Sequence, residues 1–164
     1  MNPAQRPPEA MTVEERTAWH RSAAGLDSPM HRAVAFTLRY AGLLRTEVAA
    51  LNLPDVDLSP SPRLRVGTDV REVPVVDCLR DALRCWLHHR PRYTGHRDSP
   101  ALFISPLGNR LLPQRINDVI WDVAAGGGLP HVRPVDLRRT YAVELIEAGY
   151  TGDQVAALLG GSVG

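Results

Sequence analysis

The chain has no lysine: all 19 of its basic residues are arginine, set against 18 acids for a formal net charge of +1. That absence excludes chemistry needing an amine that gives up its proton near neutral pH, because a guanidinium holds its proton to far higher pH. The near-balance of charge excludes attraction to a polyanion through the whole surface; such contact needs arginines gathered on one face. Cysteine is scarce too. Cys78 and Cys85 lie seven apart in a segment that reads as helix, a rise of about 10 Å and too far for a disulfide. No second Cys stands near either at metal-ligand spacing, so both read as buried cysteines packed as small hydrophobes, and neither metal nor cofactor is expected. No apolar run approaches the roughly 18 residues that span a bilayer. Met1 to Ala10 is polar and proline-rich without the apolar stretch of a signal peptide. A cytoplasmic location with no membrane partner is the expectation.

What is present suits one domain of 164 residues with 44% hydrophobic content. Residues 1–10 read as a disordered tail and residues 11–164 as the domain. Thr12 and Glu15 fit a reciprocal cap for a helix to about Ala23. Ser28-Pro29 starts a second, strongly apolar helix that Gly42 interrupts. A short helix covers Thr46 to Leu51. Leu64 to Val66 and Glu72 to Val76 read as a hairpin about Gly67-Thr68-Asp69. Helices follow over Asp77–His89, Leu112–Ala125, Val135–Ala148 and Asp153–Leu159, with Ala101–Ser105 as a third strand candidate. The order predicts an α+β fold, mostly helical, with helices around a small three-stranded antiparallel sheet.

Four collinear stretches then stand out. Gly42-Leu43-Leu44-Arg45-Thr46-Glu47-Val48-Ala49-Ala50-Leu51 is followed by Asp55-Val56-Asp57. Arg71-Glu72-Val73-Pro74-Val75 closes the hairpin. Arg133-Pro134-Val135-Asp136-Leu137-Arg138-Arg139-Thr140-Tyr141-Ala142 and Val155-Ala156-Ala157-Leu158-Leu159-Gly160-Gly161-Ser162 complete the set. In order and spacing they resemble the catalytic domain of the tyrosine recombinase (phage integrase) family, over about Met11 to the end.

The resemblance implies attack of a tyrosine on a DNA phosphodiester without metal or nucleotide. Two arginines would neutralise the transition state, a hairpin lysine would act as general acid, and a histidine with a second histidine or tryptophan would complete the hydrogen bonding. Most of those positions are changed here. The gap-free match puts Leu44 at the first arginine. Arg45, the next residue and about 100° around a helix, enters the site only through a local bulge. Val66 to Val70 hold no cation, and Arg65 and Arg71 beside them are poor general acids. Val135 replaces the histidine and Gly161 the second histidine or tryptophan. Arg138 is the one retained catalytic position, and Arg139 follows it. The chain reaches Gly164 before the place of the nucleophile, and Tyr40, Tyr93, Tyr141 and Tyr150 fall elsewhere, Tyr141 at an aromatic core position.

The resulting expectation is a protein that holds double-stranded DNA weakly, nucleoid-associated when bound, and cleaves no strand. Phosphates would be contacted by Arg133, Arg138, Arg139, Arg45, Arg71 and His131, since the planar guanidinium fork matches a phosphate. The eight arginines from Arg63 to Arg97 are diluted by acids and read as a solvated surface; His88-His89 reads as a solvated pair at a helix end. Two other readings stay open. One is a protein-interaction subunit, homo-oligomeric or paired with an active recombinase, using an apolar patch left uncovered. The other is a conditional strand-exchange enzyme that borrows a tyrosine in trans. The first 30 residues are too few for the separate DNA-clamping domain the family carries.

Overall fold

Side-chain acceptors set where the helices begin. The computed structural model describes residues 9–68 and 70–161. Thr12 accepts from the Glu15 N–H at 3.2 Å while the Glu15 carboxylate accepts from the Thr12 N–H at 2.9 Å, and α1 (Val13–Ala24) starts there. Such a pair satisfies two N–H groups that a helix start leaves unbonded. Ser28 caps α2 (Pro29–Ala41), with Pro29 at the first position, where its missing N–H costs nothing. An acid or amide three residues on reaches back to the cap N–H at α3 (Arg45–Ala50), α6 (Pro134–Glu147) and α7 (Gly152–Leu159). The pairs are Glu47 with Leu44, Asp136 with Arg133, and Gln154 with Thr151.

Helix α2 is the centre of the fold. Nine of its 13 residues are buried, as a helix apolar nearly all round requires. It packs against α1, α6, α4 (Asp77–His89) and α5 (Pro113–Gly126). Trp19 and Trp86 are fully buried in the same core. Cys78 is half-buried and Cys85 exposed, which corrects the expected pair of buried cysteines: the inward face of α4 belongs to Leu79, Leu83 and Trp86. His88 is exposed and His89 half-buried.

Beside the helices lies a sheet of β1 (Val56–Asp57), β2 (Arg63–Val66) and β3 (Arg71–Pro74), antiparallel throughout with β2 in the middle. Leu64 and Val66 point into the core and Arg65 points out, the period-2 alternation of a half-buried strand. The third strand is therefore Val56–Asp57 and not Ala101–Ser105, which forms only isolated bridges, Asn52 with Ala101 and Ile104 with Arg110. The cause is where the backbone bonds go. Leu102 O accepts from Trp86 Nε1 at 2.8 Å and Ala101 O from Arg90 Nη2 at 2.7 Å. Side chains satisfy carbonyls that a ladder would otherwise take.

Of the expected tail, residues 1–8 lie outside the described residues, while Glu9 is tied to α6, as is Met11 where the domain begins. The Glu9 N–H donates to Asp136 Oδ1 at 3.1 Å and the Met11 N–H to Thr140 Oγ1 at 2.8 Å. Among the described residues no helix is long and apolar enough to cross a membrane, and no cluster of His, Cys, Asp or Glu could hold a metal ion.

Arg90 shows how the chain uses its arginines. It is buried, and it donates to His96 O at 3.0 Å, Ser99 O at 2.9 Å and Ala101 O at 2.7 Å. Arg90→Ala leaves these carbonyls unpaired and should cost about 3 kcal/mol, read as a lower urea midpoint. A loss below about 0.5 kcal/mol, the range of an ordinary surface change, would contradict the role.

Candidate nucleic-acid interface

Two glycine turns allow the face that carries the matched arginines. Gly42 ends α2 at φ 65°, and a Cβ there would lie 2.3 Å from Tyr141 Cδ1. Only glycine takes that conformation at no steric cost while letting the Tyr141 ring press on the turn. Tyr141 is buried, and burial pushes its phenol up to about 12. Gly160 ends α7 at φ 81°, with the Arg71 guanidinium against it: a Cβ would lie 2.8 Å from Nη1.

Between the two turns sits a knot of charge. Arg138 of α6 is 8% exposed and donates to Gly42 O at 2.7 Å and Leu159 O at 2.5 Å. Its Nη1 is 3.9 Å from Glu47 Oε1. Arg71 of β3 grips the same carboxylate with both nitrogens, Nη1 to Oε2 at 2.7 Å and Nη2 to Oε1 at 3.0 Å, and its Nε donates to Leu158 O at 2.9 Å. Burial works against ionisation of Glu47, but the Arg71 hydrogen bonds, the Leu44 N–H and the charges of Arg71 and Arg138 outweigh it and hold the carboxyl below its ordinary value. Burial lowers the Arg138 guanidinium, with Glu47 opposing and Arg71 reinforcing the shift.

The other matched residues are arranged differently. Arg45 is the first residue of α3, exposed and without a partner among the described residues. Two residues of helix, about 200°, separate its direction from that of Glu47, so Arg45 and Arg138 share no partner among the described residues. Leu44 is 48% exposed and Val135 37% exposed. Arg133 folds back onto Asp136, Nε to Oδ2 at 3.0 Å and Nη2 to Oδ1 at 3.1 Å. Burial resists ionisation of Asp136, and the Arg133 side chain with the Glu9 and Arg133 N–H groups more than offsets it, holding the carboxyl below its usual range. His131 Nε2 is 2.7 Å from Glu15 Oε2. Arg139 is half-buried and lines an apolar groove of about 300 Å³ with Ala142, Val143, Ile146, Gly152 and Val155.

The sequence directs Arg71 and Arg138 toward a ligand and assigns Glu47 no role of its own. In the structure Glu47 is the acceptor that organises both. The available clue was an acid inside a matched segment whose arginine had become leucine.

Comparison with known proteins follows the same lines. A profile described as the phage integrase family matches residues 14–162. Tyrosine recombinase XerC of Alcanivorax borkumensis is 32% identical over 162 residues, covering 95% of this chain and 53% of the relative. Tyrosine recombinase XerD of Caulobacter vibrioides is 32% identical over 168 residues, covering 96% and 55%. The chain thus spans about half the length of the curated relatives it matches. The crystal structure of XerA recombinase superposes with a TM-score of 0.85 at 26% identity, over 95% of this chain and 57% of that one. XerH site-specific recombinase bound to its difH substrate superposes at 0.81 and 19% identity, over 97% and 49%.

Two measurements test the knot. Because the Glu47 carboxyl is lowered in the folded state, its contribution to stability is complete above the unfolded value of about 4.3 and is lost as pH falls through the lower folded value. Urea midpoints should therefore drop more steeply below that pH for the wild-type chain than for Glu47→Gln; parallel curves would contradict the pairing. Gly42→Ala meets both the strained backbone and the Tyr141 ring and should cost about 2–4 kcal/mol, with a neutral result excluding the close approach.

Proposed function

The chain belongs to the phage integrase family, and from that premise we propose that it is a tyrosine-recombinase catalytic scaffold that holds duplex DNA without cutting it. The carrying observation is the pair Leu44 and Val135, exposed apolar side chains at the two places where the family resemblance puts an arginine and a histidine. Neither offers a donor to a phosphoryl oxygen, and lost donors of this kind cost about 10²- to 10³-fold each in rate. The hairpin supplies no replacement acid, since the chain has no lysine and arginine does not release its proton. The arginine that does match, Arg138, is directed to Gly42 O and Leu159 O.

DNA contact then falls to two arginines of the matched stretches that have no side-chain partner among the described residues, Arg45 at the start of α3 and Arg139 on α6, while Arg138, Arg71, Arg133 and His131 reach a phosphate only by giving up bonds they already make. Proteins of the same fold support the ligand: XerH was solved bound to its difH substrate, and lambda integrase bound to DNA. A cation that reaches a phosphate displaces counterions, so binding is weak and falls steeply with salt.

Two assays decide this. A nicked duplex that traps covalent protein–DNA adducts should give none with the purified chain; an adduct would overturn the loss of cleavage. In a salt series of duplex binding, Arg45→Ala and Arg139→Ala should each weaken affinity and reduce the salt slope by about one, while Arg84→Ala, on the outer side of α4, should leave both unchanged. Equal losses in all three variants would remove the proposed face.

A further inference from the structure

A second cationic feature lies away from the knot, between α1 and α2. A cleft of about 590 Å³ opens there, lined by Arg16, Thr17, His20, Arg21, Arg39 and Tyr40. Its volume falls within the ~300–1,000 Å³ range of small-ligand sites. Positions 16, 17, 20 and 21 share one face of α1 because residues three and four apart lie one above the other.

The back of the cleft is preorganised. Arg39 is 3% exposed, its two terminal nitrogens bind the Glu144 carboxylate, and its Nε has no acceptor among the described residues. Its guanidinium carbon sits 4.7 Å above the Tyr40 ring, a cation–π arrangement that fixes both groups. The Tyr40 hydroxyl bonds His20 Nδ1, and the His20 ring stacks on Phe36 at 5.1 Å between centroids. Burial pushes the Tyr40 phenol up to about 12, and with Nδ1 engaged by the Tyr40 hydroxyl, Nε2 is the His20 ring nitrogen left to meet a ligand.

The front is loosely held. Arg21 is exposed without a partner among the described residues. Arg16 is anchored by its Nε, which donates to Met11 O at 3.0 Å, while its Nη1 reaches Glu147 at 3.3 Å and Glu144 at 3.6 Å. The Glu147 side of that pair is 57% exposed, and a solvent-facing pair contributes at most about 1 kcal/mol, so Nη1 can exchange it for a better anion. Glu144, the acid nearest the back, is already matched by Arg39. Three guanidinium groups therefore face two carboxylates, with a surplus positive charge at Arg21.

We propose that this cleft binds the phosphate group of a small phosphate monoester, through Arg16, Arg21 and His20, at a site separate from the DNA-holding face. Arginine forks and a histidine N–H are the donors that a dianionic phosphate takes. The cleft, with the His20 and Tyr40 rings at its back and Arg16 and Arg21 at its front, suits a compact ligand and not the convex backbone of a duplex.

The test uses the full chain and two probes, inorganic phosphate and a short duplex without terminal phosphates, at fixed ionic strength. Ring resonances of His20 and Tyr40 are followed by NMR and affinity by calorimetry. Inorganic phosphate should shift the His20 ring saturably, in the millimolar range or tighter. Arg21→Ala, which breaks no bond of the fold, should weaken that binding at least tenfold, Arg21→Glu should abolish it, and Arg84→Ala should leave it unchanged. A His20 ring that responds to the duplex alone or to neither probe, or an Arg84→Ala loss equal to that of Arg21→Ala, overturns the site. Duplex binding that depends on Arg45 and Arg139 is read separately, so the two readings fail independently.

Discussion

The guanidinium of Arg138 is what the rest of this face depends on. Its bonds to Gly42 O and Leu159 O pin the start of α6 to the end of α2 and the end of α7, where terminal helix carbonyls lack intrahelical donors. A cation taken out of water needs a counter-charge, and Glu47 supplies it while also receiving Arg71 from the hairpin. Three elements, α3, β3 and α6, meet at one carboxylate. The left-handed turns at Gly42 and Gly160 let the Tyr141 ring and the Arg71 guanidinium come that close.

The missing lysine gives this arrangement a wider sense. Arginines brace the interior repeatedly: Arg90 on three loop carbonyls, Arg110 on Ala49 O and Leu51 O, and Arg39 on Glu144. A planar fork with five donors can serve several acceptors in fixed directions, which a single ammonium does less well. The consequence for function is subtraction. A chain with 19 arginines presents far fewer of them to a ligand, and those left outward, Arg45 among them, define where an anion can be met.

The fold was largely legible. Caps at Thr12 and Ser28, the Gly42 stop, the hairpin and the family match over residues 14–162 all rest on local chemistry or on order along the chain. The third strand was not legible. Ala101–Ser105 has the apolar composition of a strand, but Trp86 and Arg90, more than ten residues upstream, take its carbonyls. Side-chain direction was equally hidden. Nothing in the string of residues says whether Arg71 and Arg138 turn outward to a phosphate or inward to a carbonyl, because that choice depends on where α7 ends in space. Leu44 and Val135 could be read as substitutions, while their exposure required the fold.

The central claim is that the one matched arginine serves the scaffold. Following the Arg138 guanidinium resonances by NMR during titration with duplex DNA tests it most directly. The account predicts signals protected from solvent exchange and unmoved at saturating duplex, while signals of Arg45 shift. An Arg138 signal that shifts in step with duplex occupancy would contradict it.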